Sequence, residues 1–315
     1  MIADSHPAIL TSGLARNYGK TPALLPTSLT VPHGSIFALL GHNGAGKTTL
    51  IKLLVNILRP SAGGATVLGL SSSSIGGDDF LRIGYVSENQ DLPGWMTVRS
   101  FLDFQSGFYP QWNVDPLIKR FNLPLSRKLK NLSRGQRMKA ALASVLAFSP
   151  ALIILDEPFS GLDPLVRDEL IEALLDAAAT QPTTILLSSH DLAEIESFAT
   201  HVAFLHAGSL LFAEEMPQLS ARFRDVSVTL ASTDSLVQQE LSVPPTWLNL
   251  QQSGHTFTFV HTQAGMESIE DQVRQVFPPI ASLEIEPMNL RSIFLAIAKT
   301  GRRLEEDAAN SEGGR

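Results

Sequence analysis

Ser35-Ile-Phe-Ala-Leu-Leu-Gly-His-Asn-Gly-Ala-Gly-Lys-Thr-Thr-Leu50 is the stretch that decides how this chain folds. The apolar run to Leu40 reads as a buried strand, and Gly41, Gly46, Lys47 and Thr48 complete the pattern G-x-x-x-x-G-K-[ST]. From Thr48 to Leu58, apolar residues at Leu50, Leu53, Leu54, Ile57 and Leu58 recur at helical spacing ahead of Pro60. Strand, glycine loop and helix in that order make a phosphate cradle. The glycines let backbone N–H groups close around phosphate oxygens, and the helix N-terminus adds the positive end of its dipole. Lys47 is the expected counter-charge to the β- and γ-phosphates, and the Thr48 hydroxyl the expected ligand of Mg²⁺. His42, Asn43, Gly44, Ala45 and Thr49 fill out the predicted contact surface.

Working outward, further buried-strand runs occur at Ile83–Val86, Ala151–Leu155 and Thr184–Leu187, with a helical pattern from Leu165 to Ala178 between the last two. Strands alternating with helices predict a mainly parallel sheet covered by helices. Asp156 and Glu157 stand where an apolar strand ends. One carboxylate there suits Mg²⁺, held through water, and the next can orient and deprotonate an attacking water. His190 ends another such run, where an imidazole can bond a γ-phosphate.

Residues 96–131 break the alternation. Amphipathic stretches at Val98–Phe108 and Leu117–Phe121, separated by Pro110, Pro116 and Pro124, predict a helical insert. His201–Ala213 reads as a hairpin turning at Ala207-Gly208. From Pro217 to about Arg303 the strand patterns Val226–Leu230, Thr256–Val260 and Leu283–Ile285, with helical patterns Ile269–Phe277 and Leu290–Lys299, predict a small α+β domain. Leu304–Arg315 is polar and reads as a disordered tail.

Composition narrows the function. A hydrophobic share of 44% and a charged share of 17% over 315 residues fit a folded core with a smaller second unit. The net charge of −7 argues against a broad nucleic-acid face. With no cysteine there are no disulfides or thiolate sites, which suits a reducing cytosol. The apolar stretch nearest to a span, Ala140–Leu155, is shorter than the roughly 20 residues a bilayer needs. No secretory pattern is visible in Met1–Pro7.

Leu132-Ser133-Arg134-Gly135-Gln136, about twenty residues before Asp156, resembles the L-S-G-G-Q signature of ATP-binding-cassette ATPases. In the order of that family, Gly41–Thr49 looks like Walker A and Leu152–Glu157 like Walker B. Ser160–Asp163 looks like the D-loop, His190 like the switch histidine, and Tyr18 like the aromatic ring that stacks on adenine. The resemblance covers about residues 8–215. It implies an α/β P-loop NTPase core with a mainly parallel sheet, a small antiparallel N-terminal β part and a helical subdomain over about 96–150. It also implies ATP and Mg²⁺ as ligands, and hydrolysis assisted by Lys47, Glu157 and His190. Ser133, Gly135, Gln136 and Asp163 of one subunit would complete the ATP site of another, in a homodimer or with a related subunit.

Phe108–Trp112 and Pro287–Leu290 look like the ABC-2-type bacterial exporters, which implies separate membrane-spanning permease subunits and a peripheral place on the cytoplasmic face of the membrane. Aromatic residues of the insert, Trp95 to Trp112, are candidate anchors for such a partner. A soluble ATPase of the same family acting in translation or DNA repair is the alternative. Two positions depart from the pattern. Arg134 replaces a glycine, facing nucleotide, solvent or an interface. Glu88 stands where the family has glutamine, and Glu88 or Gln90 takes that place near Mg²⁺.

Overall fold

The apolar run that precedes the glycine loop lies at the centre of a six-stranded sheet. This is seen in a computed structural model, which describes residues 6–88, 90–231, 243–263, 269–277 and 279–297. The expected tail, Leu304–Arg315, lies outside the described residues. The chain divides into two compact units between Glu214 and Glu215.

The first unit begins with β1 (Ile9–Tyr18), β2 (Thr21–Thr27) and β3 (Thr30–Val31), followed by the central β4 (Ile36–Leu40) and α1 (Lys47–Leu54). Next come β5 (Ala62–Val67), β6 (Leu70–Ser71) and β7 (Ile83–Val86), then the insert helices α2 (Val98–Ser106) and α3 (Asp115–Arg120). The unit continues through α4 (Arg134–Leu146), β8 (Leu152–Leu155), α5 (Pro164–Thr180), β9 (Thr184–Ser189), β10 (His201–His206) and β11 (Ser209–Glu215). β1 carries β2, β3 and β5 as antiparallel neighbours, with β6 on β5, so the N-terminal part is a sheet of its own. The second sheet runs β11-β10-β4-β9-β8-β7, with β4 and β7 to β10 parallel. Leu14, Leu29, Phe37, Leu39, Leu50, Leu54, Val67 and Leu186 are among the residues of the buried core that these elements share with α1.

Register explains why the functional residues meet. Leu40 pairs with Ser189 on one side and Phe204 on the other, and Leu155 pairs with Leu187. The carboxyl ends of β4 and β9 are therefore level, β8 ends two residues short of them, and the residues just beyond (Gly41, Asp156, His190) emerge on one edge. Parallel strands make this possible, because every crossover returns to start the next strand at the same end.

Local chemistry adjusts several expected boundaries. α1 stops at Leu54, not Leu58: Asn56 takes a left-handed φ of 58° and its amide donates to the Ile75 carbonyl (2.8 Å). α4 starts at Arg134, inside the signature-like stretch, because Ser133 and Gln136 form a capping box with both bonds at 3.2 Å. The β10–β11 turn is Ala207-Gly208 with φ of 46° and 80°, the two positive values of a type I′ hairpin turn.

The second unit holds α6 (Met216–Arg222), β12 (Arg224–Leu230), β13 (Trp247–Ser253), β14 (Thr256–His261), α7 (Ile269–Val276) and β15 (Ile280–Pro287). Residues 290–297 are helical as well. The strands form an antiparallel sheet in the order β13-β14-β12-β15. Val273 of α7 shares one buried core with Val228, Phe257 and Phe259 of the sheet. Trp247 stacks on Phe259 at 3.9 Å between ring centroids.

Candidate active site

The loop between β4 and α1 is shaped by glycines that no other residue replaces cheaply. Gly41, Gly44 and Gly46 have φ of 156°, 83° and 104°. A Cβ on Gly41 would lie 2.3 Å from the Leu205 carbonyl oxygen, and one on Gly46 would lie 2.7 Å from that of Ala23. The loop is thus packed against β10 and β2. It encloses one side of a cavity of about 410 Å³ lined by His42, Asn43, Gly44, Ala45, Gly46, Lys47, Thr48, Thr49, Glu88 and Glu157.

Lys47 is buried under this loop. Its ammonium donates to the carbonyls of Gly41 (2.5 Å) and His42 (3.3 Å) and pairs with Glu157 Oε1 at 3.0 Å. The other carboxylate oxygen of Glu157 lies 2.7 Å from His190 Nδ1. The Thr48 hydroxyl donates to Asp156 Oδ1 (3.1 Å). Two carboxylates, one cation, one imidazole and one hydroxyl therefore converge on a glycine loop at a helix N-terminus.

Ser188 ties the two acids together, and the sequence alone does not single it out. Its hydroxyl donates to Asp156 Oδ1 (2.7 Å) and accepts from the backbone N–H of Glu157 (2.8 Å). Glu157 holds a left-handed φ of 50°, a conformation that costs a non-glycine residue about 1–2 kcal/mol. The serine supplies a bond that holds this bent backbone in place. Its only trace in the sequence is position, at the polar end of an apolar strand. Nearby, Ser189 donates to Glu194 Oε2 (2.8 Å), and burial, the largest effect, pushes the Glu194 carboxyl above its usual range. Burial, with the charge of Asp156 as the next contributor, pushes the Tyr85 phenol up to about 12, so it stays neutral across physiological pH.

Other expected site residues stand apart from this cluster. Tyr18 is exposed, with the Arg16 guanidinium 5.1 Å from its ring centroid. Asp163 caps α5, accepting from the Val166 N–H (3.0 Å). Ser133, Gly135 and Gln136 form the start of α4, and none of them lines the cavity of their own chain's glycine loop. Glu88 does line it, whereas Gln90 does not. Arg134 keeps 44% of its side chain exposed, and its guanidinium pairs with Glu88 at 3.5 Å.

The donors present suit a metal–triphosphate. Thr48 Oγ1 and Asp156 Oδ1 are hard oxygen ligands already 3.1 Å apart beside a buried ammonium, the combination Mg²⁺ takes when phosphates supply further oxygens. The fold and site together define a phosphate-loop nucleoside triphosphatase.

Comparison with known proteins gives the particular family. A family model described as ABC transporter matches residues 24–160, and one described as an AAA domain, putative AbiEii toxin, matches 125–196. The chain is 31% identical to the Nod factor export ATP-binding protein I of Rhizobium leguminosarum bv. viciae, over 95% of this chain and 96% of the relative. It is 28% identical to the ABC transporter ATP-binding protein YtrB of Bacillus subtilis, over 90% and 95%. A solved ATP-binding subunit of an ABC transporter superposes with a TM-score of 0.62 at 27% identity, over 67% of this chain and 91% of that one. The chain belongs to the ABC transporter family, as an ATP-binding and ATP-hydrolysing subunit.

Proposed function

We propose that this chain hydrolyses ATP with Glu157 as general base and passes the resulting conformational change to separate membrane-spanning subunits. The observation that carries the reading is the net of Lys47, Glu157, His190, Asp156, Thr48 and Ser188 around the glycine loop. Lys47 faces the β- and γ-phosphates and exchanges its pairing with Glu157 for theirs. Glu157, freed of that cation, accepts a proton from the attacking water. His190 holds Glu157 through Nδ1 and offers its other nitrogen to the γ-phosphate. Thr48 and Asp156 would hold Mg²⁺, with Glu88 at the cavity's edge, and the ion would supply neutralisation of phosphate charge. Tyr18 stacks on the adenine.

Two chains are needed in this reading. Ser133, Gly135, Gln136 and Asp163 lie outside their own chain's phosphate cavity, which supports their use across a head-to-tail homodimer or a pairing with a related ATPase subunit. ABC-2-type permeases are the proposed membrane partners. Trp95, Phe104 and Phe108 of the helical subdomain are 72%, 53% and 58% exposed, which suits an apolar docking face. Phe101 is buried, and Tyr109 stacks on Phe148 at 3.9 Å, so these two serve the subdomain's own packing. No helix among the described residues is long and apolar enough to cross a membrane, which fits a peripheral subunit at the cytoplasmic face. The unit from Glu215 onward is the accessory α+β domain of this scheme. The relatives' names favour transport over a soluble role in translation or DNA repair.

Glu157→Gln tests the chemistry. The variant retains ATP binding, loses on the order of 10²-fold or more in turnover, and accumulates as an ATP-bound dimer by size. An active, monomeric Glu157→Gln protein would refute it.

A further inference from the structure

The two positions at which this chain departs from the signature and glutamine patterns touch each other. Arg134 brings a positive charge to the first position of α4, and Glu88 brings a negative one just after β7. The guanidinium lies 3.5 Å from Glu88 Oε1 and also packs over Gly161, where an added Cβ would meet its Nη1 at 3.0 Å. Glu88 has a second neighbourhood. It lines the phosphate cavity with Lys47, Thr48 and Glu157, and it lines an adjoining cavity of about 450 Å³ together with Arg134, Lys130 and Arg137.

The charges around the phosphate loop explain why that matters. Lys47 is already paired with Glu157, and Asp156 is a second acid beside it. A third carboxylate at the mouth, left alone, opposes entry of a triphosphate. Both partners are more than a third exposed, so the pair adds little to stability. Its consequence is local: it lowers the negative potential of the cavity mouth and fixes the direction of one carboxylate.

We propose that Glu88 and Arg134 form one charge-exchanged unit in which Arg134 is a positioning residue, holding and neutralising Glu88 so that ATP is admitted. The inference rests on the ATP-site reading above. A neutral side chain at 88 makes Arg134 dispensable, whereas glutamate at 88 makes it necessary.

The test is equilibrium binding of a fluorescent ATP analogue to the full chain in EDTA, where any part Glu88 plays toward Mg²⁺ is silent. Arg134→Gly weakens binding by about three- to tenfold, and the defect shrinks as salt is raised toward 1 M, where screening acts within about 3 Å. Glu88→Gln/Arg134→Gly returns to within about twofold of the wild type, and Arg134→Lys recovers part of the loss. Wild-type affinity in Arg134→Gly overturns the proposal. So does a defect that Glu88→Gln leaves unrelieved, which would mean that Arg134 acts on nucleotide directly. Failure of the wild type itself to bind the analogue would instead overturn the ATP-site reading on which both depend.

Discussion

Ser188→Ala removes one oxygen atom and leaves two buried groups short of a partner. The Glu157 N–H loses its acceptor at 2.8 Å, and Asp156 Oδ1 loses a donor at 2.7 Å. An orphaned buried donor costs about 1–3 kcal/mol, and a lost bond to a charged acceptor about 1.5–3 kcal/mol. The two do not add in full, because Thr48 still donates to the same Oδ1. Relief of the bent backbone at Glu157 returns part of the loss as well. The expected net destabilisation is about 2–4 kcal/mol. Urea unfolding followed by circular dichroism measures it, and steady-state turnover under conditions where the variant is folded measures the loss of Glu157 positioning. Ser144→Ala is the comparison: that buried hydroxyl donates only to the Ala141 carbonyl within α4, and its loss costs less than about 1 kcal/mol. If Ser188→Ala is no more destabilising than Ser144→Ala and turns over ATP normally, the serine does not hold the two acids.

The same geometry sets three further outcomes. Gly41→Ala places a Cβ against the Leu205 carbonyl and Ala45, whereas Gly44→Ala meets nothing within 4 Å. Both carry the strain of a positive φ, so Gly41→Ala is the more destabilising by about 1–3 kcal/mol in urea unfolding, and equal costs would contradict the packing argument. Glu194 binds its proton more tightly in the folded chain than unfolded, since burial is the largest influence on it. Its contribution is therefore present below the ordinary carboxylate range and is lost as pH rises through its elevated native value. Glu194→Gln, whose amide oxygen still accepts from Ser189, gains in melting temperature over the wild type on going from pH 4 to pH 8; a gain that is constant with pH would remove burial as the cause. Trp95→Ala with Phe104→Ala leaves ATP turnover of the isolated chain within about twofold while releasing membrane subunits from a detergent pull-down, and undiminished recovery of those subunits would show that this face is not the docking surface.

How much of this is legible in the residues differs from place to place. The glycine loop, Asp156, Glu157 and His190 can be read because each stands at or within three residues of the end of a short apolar run, and period and composition mark such runs well. That they converge can be expected only from parallel pairing, which sequence spacing does not show; the Leu40–Ser189 and Leu155–Leu187 registers supply it. Edges defined by side-chain bonds escape the periodicity. α1 ends early because of Asn56, and the start of α4 is set by the Ser133–Gln136 box. β13 (Trp247–Ser253) is not marked by its pattern, since its apolar–polar alternation fades into Gln251-Gln252. Ser188 escapes notice because a serine at a strand end carries no pattern until its two partners are placed. Arg134 and Glu88 are each conspicuous alone, and only the fold makes them a pair.

The central claim is that Lys47 under the glycine loop is the seat of the triphosphate. Calorimetric titration of ATP into Glu157→Gln and into Glu157→Gln/Lys47→Ala measures it directly, since neutralising Glu157 first avoids leaving that buried acid without its cation. Loss of about 3 kcal/mol of charge-assisted bonding predicts that the second variant binds ATP on the order of 10²-fold more weakly than the first. Equal affinity in the two variants would contradict the account.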